Sequence, residues 1–163
     1  MAEWKDFAEE APRIADVFLR RHKATGNLCL LATLRSDGFP RISPMEPSIF
    51  ERRLILIGMP NTRKFNDLAR DPRFSLHTAT IDPYVGDGDA KLWGTARNDR
   101  DTELHRRFAD HLFKESGLDL RGRAIDPFYI ADLAGASSVE FVDGRLTIRT
   151  WRPGEGEKSR PLA

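Results

Sequence analysis

Residues 26–73 constrain the fold most, because GNLCLLATLRSDGFPRISPMEPSIFERRLILIGMPNTRKFNDLARDPR sets three strand patterns and a short basic helix side by side in under a third of the 163 residues. Residues 28–34 are nearly continuously apolar between turn residues, the pattern of a strand buried on both faces. The Arg35-Ser36-Asp37-Gly38 turn follows, with Gly38 free to take a positive φ. Residues 39–50 return as a longer strand in which Arg41, Ser43 and Met45 share one face and Ile42 points to the other. Pro40, Pro44 and Pro47 each remove a ladder donor, so this strand is expected to be interrupted and to leave carbonyls for a ligand. Residues 54–59 form the third strand, and Gly58 near its end permits close backbone approach.

Asn61 or Thr62 caps a helix running to about Arg70, with Phe65, Leu68 and Ala69 facing inward and Arg63, Lys64, Asn66 and Asp67 facing out. Asp71-Pro72 stops it. A helix start exposes unpaired N–H groups and a positive dipole end, which suits an anion. Thr62 adds a hydroxyl, and Arg63 and Lys64 add charge-assisted donors. Arg41 joins them if the strand register brings it to the same edge. Taken alone, these residues also fit a capping threonine followed by a solvated basic face.

The flanking sequence closes this unit. Phe7, Ala11, Ile14 and Phe18 recur at helical spacing within residues 3–22, and Pro12 suits the first turn of a second helical segment. This face is expected against the barrel or a partner subunit. Strands are expected at 74–80 and 90–97, flanking an exposed loop at 81–89. Asp101 caps a helix burying Leu104, Phe108 and Leu112, and residues 117–127 read as a loop. A strand at 128–133 and a hairpin joining 138–142 to 145–151 through Asp143-Gly144 complete the pattern, with residues 154–163 as a disordered tail. Six to eight strands with three helices imply a mainly antiparallel barrel or sandwich.

The runs LATLRSDGFPRIS, LILIGM and NTRKFNDLARDPRFSL resemble the flavin-binding split barrel of the pyridoxamine 5′-phosphate oxidase-like superfamily. KLWGTARN and VEFVDGRLTIRTWRPG are similar to the same family, so the resemblance spans most of residues 10–153. It implies a mainly β protein with flanking helices, an antiparallel split β-barrel of six to eight strands, forming a single FMN-binding domain over residues 1–153. It also implies a homodimer with a flavin mononucleotide (FMN) site at each side of the interface. In that family the strand carrying Arg41 and Ser43 and the helix start carrying Thr62, Arg63 and Lys64 contact the phosphate and ribityl chain. Met45, Ile57, Gly58 and Met59 line the ring system by position, and Trp93 or Trp151 comes from either subunit.

One departure matters. Members that oxidise pyridoxamine phosphate place a Lys five residues after the strand Arg, where this chain has Glu46. The chain therefore resembles the broader branch, and the implied function is an FMN-dependent oxidoreductase acting on a small organic substrate. The alternatives are a deazaflavin-dependent reductase of the same fold and a non-catalytic flavin- or haem-binding protein. A bound flavin performs the hydride or electron transfer itself, so no dedicated catalytic acid or base is named.

Other classes are disfavoured. Lys and Arg number 26 against 25 Asp and Glu, a net charge of +1 that argues against a broad nucleic-acid footprint. No stretch has membrane-spanning length, and the acids and Pro12 of the N-terminal residues do not make a secretory signal, so a cytoplasmic location is expected. Cys29 is alone in an apolar run, which excludes a disulfide within the chain and suits an inert buried thiol. His22, His77, His105 and His111 lack metal-ligand spacing, and His77 reads as a half-buried strand residue with a backbone partner. Gly86-Asp87-Gly88-Asp89 lacks the ligand series of a calcium loop and reads as a turn.

Overall fold

Pro12 divides the N-terminal amphipathic run into α1 (Trp4–Glu10) and α2 (Pro12–Ala24), so four helices form among the described residues where three were expected. The computed structural model describes residues 1–80 and 86–162, and the expected loop at 81–89 falls mostly outside them. Phe7, Ala11, Ile14 and Phe18 are fully buried, as their spacing requires. They face the barrel: the Phe7 ring lies 5.1 Å from that of Trp151, whose Nε1–H donates to Glu10.

The strands are β1 (Cys29–Leu34), β2 (Pro40–Met45), β3 (Ser48–Phe50) and β4 (Arg53–Ile57). After α3 (Arg63–Arg70) come β5 (Arg73–Thr78) and β6 (Asp89–Asn98), and after α4 (Thr102–Ser116) come β7 (Phe128–Val142), β8 (Arg145–Arg152) and β9 (Gly156–Pro161). All pairings are antiparallel, in the order β2-β1-β5-β6-β7-β4-β3, with β8 on β7 and β9 on β8. Nine strands thus form among the described residues, against the six to eight expected, within the expected mainly β, antiparallel split-barrel class.

Three differences account for the count. The Pro44–Pro47 region breaks the long strand expected at 39–50 into β2 and β3, and the Pro47 carbonyl accepts from His22 Nε2 at 2.7 Å. The segments expected at 128–133 and 138–142 fuse into β7. The expected disordered tail instead forms β9, held by a long-range contact: the Glu157 carboxylate accepts the N–H groups of Arg13 and Ile14, serving the otherwise unpaired start of α2.

β7 makes the barrel split. One edge carries β6 along most of its length, while the other carries β4 at Phe128–Ile130 and β8 from Ala136 onward. The register slips between Trp93 and Gly94, leaving Ala134 unpaired as a β-bulge. Gly94 is required there, because a Cβ would lie 1.9 Å from the Asp132 carbonyl oxygen.

α4 covers the β4–β7 junction. Asp101 accepts from the Glu103 and Leu104 N–H groups, and Leu104, Phe108 and Ala109 pack with Ile55, Phe128 and Ile130. Leu112, expected in the core, is only half-buried. Cys29 is fully buried and its thiol is pushed up to about 12 by that burial, so it is inert. No helix among the described residues is long and apolar enough to cross a membrane.

Gly94→Ala should destabilise the fold by about 2–3 kcal/mol, the scale of forced overpacking. A urea unfolding midpoint equal to that of the unaltered protein would show that the bulge relaxes freely.

Candidate functional site

The site begins where β4 runs out and α3 starts. Asn61 takes a left-handed φ of 60°, turning the chain so that Thr62 becomes the N-cap residue in extended conformation. The Phe65 and Asn66 N–H groups donate to the Thr62 carbonyl. The N–H groups of Arg63 and Lys64, ahead of them, have no carbonyl to serve within the helix. Thr62 Oγ1 makes no cap bond and is buried without a hydrogen-bond partner. Such a hydroxyl is costly to leave unpaired. Arg63 is exposed and has no ion pair among the described residues. Gly58 permits the turn to pack, since a Cβ there would sit 2.7 Å from the Phe65 ring.

Asp67 ties α3 to the sheet. Expected to face solvent, it is 3% exposed, while Ala69, expected inside, is exposed. The reason is a set of donors from three elements: Thr33 Oγ1 at 2.9 Å, Arg41 Nε at 2.6 Å and Arg70 Nη2 at 3.4 Å. Burial alone would raise the Asp67 carboxyl, but the bonds from Arg41 and Thr33 outweigh it and hold the group below the usual carboxylate range. Lys64 Nζ meanwhile donates to the carbonyl of Pro44, near the end of the edge strand β2, at 2.9 Å. Arg41 therefore lies beside the second turn of α3 with its Nε engaged, and Lys64 lies level with the end of β2.

A groove of about 720 Å³ opens beside this junction. Met45, Ile57, Gly58 and Lys64 line it, together with Glu46 and residues of α2 and α4 that the sequence did not assign to the site, among them His22, His111, Leu112 and Glu115. Burial pushes the His22 ring down from its ordinary value, against the hydrogen bond to Pro47. Burial also lowers Lys64, with Glu46 pulling the other way.

Ser43 sits on β2 opposite Leu31, on the same face as Arg41 and Met45. Met59 projects into solvent, 75% exposed. Trp93 is not brought to this site within one chain: it lies under Gly135 and lines a separate cavity of about 320 Å³ with Thr150, Trp151 and Arg152. Trp151 itself is 1% exposed, in the core. His77 is half-buried, its Nδ1 donating to the Thr78 carbonyl at 2.6 Å. Among the described residues no group of three or more His, Cys, Asp or Glu is placed to hold a metal.

The family model for pyridoxamine 5′-phosphate oxidase matches residues 18–132. No curated protein sequence matches the chain. Among solved structures, PhzG from Burkholderia lata 383, in complex with tetrahydrophenazine-1-carboxylic acid, aligns with a TM-score of 0.63 at 16% identity, over 94% of this chain and 92% of that one. A pyridoxamine 5′-phosphate oxidase-related, FMN-binding protein from Nostoc punctiforme PCC 73102 aligns at 0.62 and 12% identity, over 93% and 95% of the two chains. A heme-binding protein from Mycobacterium smegmatis aligns at 0.55 and 20% identity, over 89% of this chain and 57% of its own length. At these identities the likeness is one of fold.

Asp67→Asn should destabilise the protein by about 1–3 kcal/mol at neutral pH. A carboxyl depressed in the folded state contributes stability above its ordinary value of 3.8, and that contribution is lost as pH falls through the lower folded value. The gap between the Asp67→Asn variant and its parent should therefore close in acid. A gap that stays constant from pH 7 down to about 3 in urea titrations would deny Asp67 its ionised role.

Proposed function

The chain belongs to the pyridoxamine 5′-phosphate oxidase family, and from that premise we propose that it is an FMN-binding oxidoreductase acting on a small organic substrate. The observation that carries the reading is Thr62 Oγ1, a buried hydroxyl without a partner at the start of α3, beside two unserved N–H groups and the exposed Arg63. That donor set fits a phosphate. Thr62, Arg63 and Lys64 would hold it, with Arg41 keeping its Nη groups available while Asp67 takes its Nε. Ser43 would meet the ribityl chain, and Met45, Ile57, Gly58 and Met59 would border the ring. When bound, the flavin supplies hydride or electron transfer. The chain's residues bind it, orient it and exclude water.

We also propose that the protein works as a homodimer. Leu30, Ile42 and Pro44 are exposed on one face of β1 and β2, with Ile42 71% exposed. Across the sheet Ile42 is level with Ala32, Ser75 and Trp93 on that face. An exposed apolar strip of this kind supports a protein interface. Trp93 would then reach the site only from the partner subunit.

The test is the visible spectrum of the purified protein, with the released cofactor identified by mass. Expected are a flavin spectrum, the mass of FMN, and a thermal midpoint that rises with added FMN. A colourless protein that takes up a deazaflavin in preference to FMN would make it a deazaflavin reductase. Bound FMN or haem with no turnover of a reduced cofactor would make it a binding protein.

Replacing both Arg63 and Lys64 with Ala should weaken FMN binding by up to several kcal/mol. Thr62→Val should cost about tenfold or more in FMN affinity while leaving the unloaded protein as stable as its parent or more stable, by up to about 1–3 kcal/mol, because the unpaired buried hydroxyl is removed without losing a bond. Equal loss of stability would reduce Thr62 to a structural cap. Ile42→Glu should shift the protein to a monomer by light scattering and release FMN with it. A dimeric, flavin-loaded variant would place the interface elsewhere.

A further inference from the structure

The groove beside α3 has a charge pattern that its volume and apolar walls do not require. Leu19, Leu28, Ile49, Leu112 and Leu118 supply an apolar lining for the body of a ligand. Its permanently charged groups are Lys64, Glu46 and Glu115. Lys64 donates one of its N–H groups to the Pro44 carbonyl, and its charge faces Glu46. Neither Glu46 nor Glu115 has a hydrogen bond or ion pair among the described residues beyond that attraction. His22 adds no positive charge at neutral pH, since burial lowers it and its Nε2–H is used on Pro47.

We propose that Glu46 is a specificity-determining residue that turns anionic substrates away from this groove, so that the substrate is a neutral or cationic molecule with an apolar body, such as a protonated amine. The inference rests on the reading of this groove as the substrate side of the flavin site. An anion entering it meets two carboxylates against a single lysine, whose charge faces Glu46 and would also serve the proposed phosphate. A cation meets two exposed carboxylates with open lone pairs beside an apolar wall, an attraction of the modest size that solvent-exposed charges have.

A matched pair of probes tests this: 1-naphthylmethylamine, a cation at neutral pH, and 1-naphthoate, an anion with the same ring system. Each is titrated by calorimetry into the protein with and without FMN. The amine should bind about tenfold more tightly at low ionic strength, and the ratio should shrink in about 0.5 M salt. Glu46→Gln should narrow the ratio and Glu46→Lys should reverse it, with Glu115→Gln narrowing it to a lesser extent. Naphthoate binding as tightly as the amine, a ratio unmoved by Glu46→Lys, or binding of neither probe would each overturn the proposal. Loss of the flavin reading would register separately, as absence of FMN uptake before any probe is added.

Discussion

The fold depends on one close approach, where β6 passes β7 at Gly94. The Asp132 carbonyl occupies the place a side chain would need, and the ladder absorbs the crowding by leaving Ala134 unpaired. A bulge raises the local twist of the strand that carries it. Here it falls between the part of β7 that pairs with β4 and the part that pairs with β8. The bend is what lets one strand serve two partners on the same edge, and the gap between them is bridged by Ala2 at Leu133. The end of β4, and so the start of α3, is positioned by this arrangement.

A second constraint sets the electrostatics of that helix start. Asp67 is a buried acid whose cost is offset by bonds from β1, β2 and its own helix. Because Arg41 is anchored through Nε, its position is fixed without consuming the whole guanidinium. Lys64 is steadied by a carbonyl rather than by an acid, and Arg63 by neither. Positive charge near the first turn is therefore held in place but incompletely neutralised, which is the condition for an anion site.

What could be read from the sequence is what short-range chemistry decides. The turn at Gly38, the break at Pro12 and the Asp101 cap each follow from a few neighbouring residues, and each occurs where expected. β1, expected to be buried on both faces, buries Cys29, Leu31 and Thr33 on one face and leaves Leu30 exposed on the other, because its apolar run does not show which face the rest of the barrel covers. The Pro-interrupted strand was legible as irregular, though not as two strands. Contacts between distant segments were not legible. β9 forms because Glu157 caps a helix far away in the chain, and Asp67 is buried because Thr33 and Arg41 arrive from other strands. The residues at the start of α3 carried a local signal, whereas the α2 and α4 contributions to the groove depend on packing that no short motif encodes.

Pro44 joins these features. Its carbonyl holds Lys64, its ring borders the groove, and it belongs to the apolar strip formed with Leu30 and Ile42. A proline at this position has no N–H to offer a neighbouring strand, so β2 ends the sheet there and leaves its outer face for another surface. On the proposed dimer, the same residue would touch the partner, border the ligand and fix the lysine. Subunit association and ligand binding would then bias one another, since each orders a backbone segment the other needs, and that coupling must act equally in both directions.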